Sequence, residues 1–423
     1  MSLTEDFAKF ATYLILYTRI MATNSKLDIK DIYHAAGVLR DVARHTRLIE
    51  STKINPKVKL FLKPENQQRT GAFKLRGAYY KISQLTEEEK ARGVIACSAG
   101  NHAQGVALGA TRSGIKSIIC LPAGAPISKV TATKNYGAEV VMVPGVYDDA
   151  YKKAVELRDE HGYTFVHPFD DPQVIAGQGT IGLEIYEEMP DVEAVVVPIG
   201  GGGLIAGVAF ALKSINPDIK VYGVQAEGAP SMYESVKRGE KVHLDSVSTI
   251  ADGIAVKEPG ELTFELVRQY VDDVVTVSED EIAAAILALI EQKKLVAEGA
   301  GAVAVAAVMF DKLPVTGKKT VALVSGGNID VTSLNRVITR GLVKGGRDCT
   351  ITLDLSDKPG QLSKVCAVIG ELGANIISVT HERNAPDTQI NGCLLRAELE
   401  TRNHQHIKDI KKGLAEAGFH IVE

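Results

Sequence analysis

From about residue 59 to residue 340 the chain alternates short, uniformly apolar runs with longer stretches of helical periodicity, and glycine-containing turns separate them. The clearest runs are Gly93–Ala96, Ser117–Cys120, Glu139–Val143, Ala194–Pro198, Val221–Gln225 and Thr320–Val324. Apolar runs without polar alternation read as strands buried on both faces. Strands separated by helices predict a mostly parallel sheet, since a parallel crossover needs a connection of helix length. The runs fall into two groups, before and after about residue 165. We therefore expect two α/β subdomains flanking a cleft, the smaller one spanning about residues 70–165. A cleft of this kind is where small ligands bind. Upstream, Asp28 is positioned to cap a helix predicted over Ile29–Val42.

The pattern changes near Lys344–Arg347. Cys349–Leu355 alternates like a half-buried strand, and Gly360–Leu372 reads as a helix. Ala374–Arg383 and Gln389–Glu400 read as strands, His404–Ala417 as a helix and Phe419–Glu423 as a last strand. The order βαββαβ predicts a ferredoxin-like sandwich. The segment Ser356–Gly360 is a turn in which Pro359 fixes φ and Gly360 opens the helix. The expected division is a leader over residues 1–27, a main unit over 28–343 and a C-terminal domain over 348–423.

Composition narrows the function classes. A chain of 423 residues exceeds one compact core, and 45% apolar with 24% charged residues is ordinary for a globular protein. A net charge of −4 gives no electrostatic reason to expect nucleic acid or an anionic membrane as partner. No apolar run is long enough to span a bilayer, and Glu5 and Asp6 stand where a signal peptide needs positive charge. Met21 is a second possible start. The five cysteines are odd in number, irregularly spaced and without CxxC. We expect neither a disulfide framework nor a metal site, and a cytoplasmic location.

Four segments carry candidate chemistry. The first is Thr70–Ala78, with Lys74 between Phe73 and Leu75. A single lysine is ordinarily a solvated surface residue, so its weight depends on the other three. The second is Pro198–Gly207, where Gly200, Gly201, Gly202 and Gly203 follow an apolar strand and precede an apolar helix. Consecutive glycines let backbone amides converge on an anion, and the helix N-terminus adds partial positive charge. The third is Ser98–Gly105, whose small residues and amides can clamp a carboxylate, although Asn101-His102 could equally cap the next helix. The fourth is Ser325–Asn328 at a strand's C-terminal end, facing the crevice in which open α/β sheets bind ligands. A rival reading stays open at this point. Gly201, Gly203 and Ala206 fit GxGxxA, and Glu227 follows where a dinucleotide ribose would be bound.

Together the four segments, in this order, resemble the fold type II pyridoxal-phosphate enzymes (the tryptophan synthase β-like group) and within it the threonine dehydratases. The likeness runs from about residue 28 to residue 340. The Asp357–Leu362 turn and the βαββαβ order are similar to an ACT regulatory domain, as in the shorter ACT-bearing threonine ammonia-lyases.

The resemblance implies that Lys74 forms the Schiff base with pyridoxal 5′-phosphate and then removes the substrate α-proton. It puts Phe73, Asn101, Gly253 and Ser325 around the cofactor ring. Gly200, Gly201, Gly202 and Gly203, with Leu204, would hold the phosphate. Ser98, Ala99, Gly100, Asn101 and His102 would hold the substrate carboxylate. Related serine racemases carry a hydroxyl at the position of Ala99, so elimination is expected rather than racemisation. Family members with a divalent ion carry an acid where Gln225 stands, so no metal is expected. The implied reaction is deamination of L-threonine to 2-oxobutanoate and ammonia, with L-serine as the poorer substrate. An amino-acid effector such as isoleucine or valine, or a nucleotide, and a homodimer or homotetramer are also implied. Serine dehydratase or racemase, an NAD-binding enzyme and an amino-acid-sensing protein with a silent catalytic unit are the alternatives. His34, His45, His161, His167 and His243 read as surface or capping residues, Cys97 as core, and Glu298 as a possible orienter of the cofactor loop.

Overall fold

A computed structural model describes residues 27–383 and 390–422. The expected leader, apart from Leu27, and the first residue of the predicted strand Gln389–Glu400 lie outside the described residues, as does Glu423. The chain opens with the helix Ile29–Leu39, capped by Asp28 and three residues shorter than the periodicity suggests. Strands β1 (Ile49–Glu50) and β2 (Lys59–Lys63) follow. Next come β3 (Val94–Cys97), β4 (Ser117–Pro122), β5 (Glu139–Val143) and β6 (Thr164–Phe165). The third group is β7 (Ala194–Pro198), β8 (Lys220–Ala226), β9 (Asp273–Val277) and β10 (Lys319–Leu323). The last is β11 (Asp348–Ser356), β12 (Asn375–Glu382), β13 (Gly392–Glu400) and β14 (His420–Val422).

The larger sheet has the order β1-β2-β10-β7-β8-β9 and the smaller one β5-β4-β3-β6. All pairings are parallel except that of β1 with β2. β3 and β7 are buried at every position, as strands covered on both faces must be. The expected α/β architecture with mostly parallel sheets therefore holds. The three named runs before residue 165 lie in the smaller sheet and the three after it in the larger; β1 and β2, which those runs leave out, also precede residue 165 but belong to the larger sheet, with β2 beside β10. The run Lys59–Lys63 has a lysine at each end, which hides it as a buried strand. Lys63 is nonetheless fully buried, because its ammonium donates to the Thr46 carbonyl at 2.5 Å and to Glu184 at 2.6 Å. That pairing offsets much of the cost of burying its charge.

The helix Val331–Lys344 leads into the C-terminal domain. Its four strands pair antiparallel in the order β12-β13-β11-β14, as a ferredoxin-like sandwich requires. Val365 and Ile369 from one helix and Ile410 and Leu414 from the other join Ile351, Leu353, Leu395 and Leu399 in one core. No helix among the described residues is long and apolar enough to cross a membrane.

Candidate active site

Lys74 opens the helix Lys74–Ser83. The chain reaches it through Gly71, whose φ of 72° favours glycine and whose side lies against Asn328: a Cβ there would be 2.3 Å from Asn328 Oδ1. Ala72 bridges to Gly326, Phe73 N–H donates to the Ser325 carbonyl at 3.1 Å, and Gly327 N–H donates to the Gly71 carbonyl at 2.9 Å. The lysine segment and the Ser325–Asn328 loop, distant in sequence, are thus one clamped unit.

Lys74 Nζ donates to the Pro168 carbonyl at 2.7 Å and lies 5.3 Å from the centre of the Phe73 ring. Burial lowers its pKa to about 8, and the charge of Glu298 offsets part of that fall. A lysine of this kind is substantially neutral in mildly alkaline solution, and only the neutral amine is a nucleophile or base.

Near it a chain of polar side chains joins the start of the helix Asn101–Arg112 to the Ser325–Asn328 loop and Glu298. Asn328 Nδ2 donates to Asn101 Oδ1 at 2.8 Å and to the Thr70 carbonyl at 2.7 Å. Asn101 Nδ2 donates to Glu298 Oε1 at 2.6 Å, which leaves its second N–H for a ligand. Glu298 is 4% exposed; burial, and then the charge of Asp252, raise its pKa to about 7. Gly326 and Gly253 both face this carboxylate: a Cβ would lie 2.4 Å from Glu298 Oε1 at Gly326 and 3.5 Å from it at Gly253. Gly253 itself stands exposed at the rim, next to an ion pair of 2.6 Å between Lys129 and Asp252.

The Ser98–His102 loop ends β3 and starts the helix Asn101–Arg112. The first N–H groups of a helix have no intrahelical carbonyl, so those of Asn101 and His102 are available to an anion. Gly105 lets this helix meet the start of the lysine helix, since a Cβ there would come within 3.0 Å of the Lys74 backbone. Ser98 Oγ accepts from Gly100 N–H at 3.2 Å and Ala99 packs on the core of the smaller subdomain. The His102 ring points elsewhere. It is buried, Nε2 lies 2.8 Å from the Val166 carbonyl, and Nδ1 has no partner. Burial and the nearby Lys74 lower its pKa to about 3, so the ring is neutral. Any contact of His102 with a substrate carboxylate would be through its backbone.

Gly200, Gly201 and Gly202 link β7 to the helix Gly203–Ile215. Gly202 has a φ of 99°. The four glycines also answer to protein neighbours. A Cβ would meet the Phe169 ring at Gly201, the Phe169 carbonyl at Gly203, Met232 and Thr263 at Gly202, and Ile254 at Gly200. The Gly201 carbonyl is held by the Thr263 hydroxyl at 2.6 Å. The loop is both a tight structural turn and an open helix N-terminus reaching to Leu204. Ser325, 3% exposed, donates to the Ala300 carbonyl over a long 3.3 Å. Its proton must turn from Ala300 to serve a ring nitrogen.

Other expected positions stay outside the chemistry. Gln225 is buried and braces Tyr233 N–H and the Ile199 carbonyl. The Cys97 thiol is pushed up to about 12 by burial. His167 Nδ1 accepts from Phe169 and Asp170 N–H groups, as a cap does. Reasoning from the sequence left Asn328, Pro168 and Phe169 without roles; the final residue of the Ser325–Asn328 motif is the one signal that pointed at any of them.

A phosphorylated pyridine aldehyde needs a neutral amine, an anion cradle and donors at its ring. Lys74, the amides from Gly200 to Leu204, and Asn101 with Ser325 offer these, so the residues fit the group.

The comparisons agree. The family model for "Pyridoxal-phosphate dependent enzyme" matches residues 39–326. The chain is 51% identical to the L-threonine ammonia-lyase of Thermotoga maritima over 93% of its own length and 99% of that protein's. It is 53% identical to L-threonine dehydratase catabolic TdcB of Escherichia coli, over 73% of this chain and 95% of that one. Among solved structures, threonine deaminase isoform 2 from Solanum lycopersicum matches with a TM-score of 0.70 and 39% identity, over 75% of this chain and 90% of that one. Maize serine racemase matches with a TM-score of 0.70 and 36% identity, over 75% and 98%. The clamped lysine, the glycine loop and this likeness along most of its length lead to one conclusion: the chain belongs to the family of pyridoxal-phosphate dependent enzymes.

Proposed function

We propose that the protein is an L-threonine ammonia-lyase that releases 2-oxobutanoate and ammonia, and pyruvate from L-serine as a secondary activity. The observation that carries the reading is Lys74: an amine held by the Pro168 carbonyl rather than a carboxylate, with the helix Asn101–Arg112 packed on its backbone at Gly105, the glycine loop packed on the adjoining Phe169, and the Asn101–Glu298 pair near enough for Glu298 to act on its charge. The names of the most similar relatives support threonine as substrate.

Pyridoxal 5′-phosphate, when bound, supplies an aldehyde for attachment to Lys74 and a ring that withdraws electrons from the substrate α-carbon. Amides from Gly200 to Leu204 would hold its phosphate, and Phe73, Asn101, Gly253 and Ser325 its ring. The amides at the start of the helix Asn101–Arg112, with Ser98, Ala99 and Gly100, would take the substrate carboxylate. Lys74 removes the α-proton, and its lowered pKa makes it a base near neutral pH. A hydroxyl at Ser325 cannot hold a charged ring nitrogen as a carboxylate would, which favours prompt loss of the β-hydroxyl over transamination. Ala99 offers no base on the opposite face of the substrate, which disfavours racemisation.

The C-terminal domain, residues 348–423, fits an ACT-like regulatory role with an amino-acid or nucleotide effector. Its edge strand β12 leaves Ile377 50% exposed, a surface suited to pairing with a second copy in a homodimer or homotetramer. A cytoplasmic location suits the free cysteines.

Product analysis tests the whole reading. The cofactor-loaded protein should form 2-oxobutanoate from threonine with a higher kcat/KM than pyruvate from serine. Residual serine should keep its configuration. Branched-chain amino acids or nucleotides should change the full-length rate and leave a chain ending at Lys344 unaffected. Racemised serine ahead of pyruvate would make it a racemase. A spectral change with NAD and no keto acid would make it a dinucleotide enzyme.

A further inference from the structure

Three donors of different chemistry converge in the C-terminal domain, and the proposed reaction uses none of them. Asp357 stands in the turn after β11, His381 near the end of β12, and Cys393 near the start of β13. One ligand atom from each lies within 4.8 Å of the others. The sheet builds this meeting point. Cys393 pairs with Leu355 in the ladder, His381 pairs with Leu395 two residues further along, and Asp357 N–H donates to the Asn391 carbonyl at 2.8 Å. His381 and Cys393 are therefore diagonal neighbours on one face.

Their side chains already touch. His381 Nε2 is 2.8 Å from Cys393 Sγ, and the sulfur is also 3.6 Å from the Leu355 carbonyl. The thiol donates to the Leu355 carbonyl, and His381 Nε2 donates to the sulfur or accepts from it according to its tautomer. Cys393 is 1% exposed, while His381 and Asp357 are exposed, so the cluster has a closed sulfur end and an open end toward solvent. Arg383 Nε lies 3.1 Å from Asp357 Oδ2, the sort of outer contact that orients a ligating carboxylate.

We propose that Asp357, His381 and Cys393 form a binding site for a late first-row divalent cation such as zinc. The donor set decides the class. A thiolate and an imidazole favour zinc, cobalt or nickel over magnesium and calcium, which prefer oxygen alone. Thiolate, carboxylate and neutral imidazole together carry two negative charges, which one divalent ion balances. Three protein ligands of a tetrahedron leave the fourth position to water on the open side. On binding, the sulfur–metal bond replaces the S–H bond and the proton leaves to solvent. No oxidation state changes. The expectation from the sequence that no metal site exists rests on the odd, irregularly spaced cysteines without CxxC and on Gln225 standing where related metal-binding chains carry an acid. It misses this cluster because its ligands come from three separate segments.

Cobalt(II) tests the site in the full-length, cofactor-loaded protein. It is followed in the red, where the cofactor does not absorb. One cobalt per chain should give the intense bands of a tetrahedral site, and zinc should displace it stoichiometrically. Both His381→Ala and Cys393→Ser should abolish the bands, and Asp357→Asn should weaken binding at least tenfold. Zinc X-ray absorption should show one sulfur neighbour in the parent and none in Cys393→Ser. Should Cys393→Ser fail to fold, His381→Ala decides alone, since its side chain is exposed. Absence of the bands in the parent, or their persistence in His381→Ala, overturns the proposal.

Discussion

Lys74 and Arg76 stand two residues apart in one helix, the first half-buried and the second buried, and their surroundings are opposite. Arg76 is 1% exposed and fully engaged. Its Nε and Nη2 meet both Glu65 oxygens at 2.8 Å, and Nη1 meets Glu184 at 2.6 Å. Burial opposes its charge, but Glu65 and Glu184 outweigh burial and raise its pKa. For Glu65 too, burial is the largest influence and works against the charge, yet Arg76 and the bonds around it hold the pKa below its usual value. Lys74 makes no ion pair among the described residues; it is held by the Pro168 carbonyl, the charge of Glu298 offsets only part of the effect of burial, and its pKa falls to about 8. Residues at i and i+2 of a helix face different sides, so one turn can serve two purposes. A compensated charge ties elements together; a charge left uncompensated is free to lose its proton.

Exchanging the roles breaks the comparison most clearly. Lys74→Ala should cut threonine turnover by about ten-thousand-fold, since it removes both nucleophile and base. Its denaturant midpoint should equal or exceed the parent's in the cofactor-free state, because a costly buried amine is gone. Turnover within tenfold of the parent would remove Lys74 from the chemistry. Arg76→Leu should do the reverse. It strands Glu65 and should destabilise the fold by about 3–5 kcal/mol, while turnover per folded molecule at low temperature stays within a few-fold. Adding Glu65→Gln should recover part of that loss, as neutralising the stranded partner removes its desolvation cost. Equal midpoints for Arg76→Leu and the parent would show that the network carries no stability.

The same contrast explains what could be read in the sequence. The glycine loop and Ser325 lie in contiguous segments whose residue types suit anion and ligand binding, and Lys74 gains its weight only from the company of those other segments. The C-terminal sandwich is legible because β11 alternates buried and exposed positions. Strand β2 is not, since Lys63 becomes a buried residue only once Glu184 is brought to it by the fold. The direction of the His102 ring depends on the Val166 carbonyl, which no local pattern reveals. Asn328 has its role because Gly71 leaves room for it, a matter of tertiary approach. Paired and packed relationships between distant segments are what the linear pattern leaves out.

Glu298 stands between the two cases and sharpens the comparison. It is buried like Glu65 but its hydrogen bond comes from the neutral amide of Asn101, not from a cation. Its pKa rises from 4.5 to about 7 instead of falling. A carboxyl whose folded pKa is raised contributes stability that is complete below pH 4.5 and is lost as pH rises through 7. The shift corresponds to about 3 kcal/mol across that window. Glu298→Gln keeps an oxygen for Asn101 and cannot ionise. Denaturant midpoints of the cofactor-free parent should therefore decline relative to those of Glu298→Gln between about pH 5 and pH 8, with the curves converging at the acid end. The Lys74 contribution lies in a separate window, between about 8 and 10.5, where stability grows with pH, so the two do not mask each other. Parallel curves from pH 5 to pH 8 would mean that Glu298 is ionised without cost, and that burial next to a neutral amide suffices to hold a carboxylate beside Lys74.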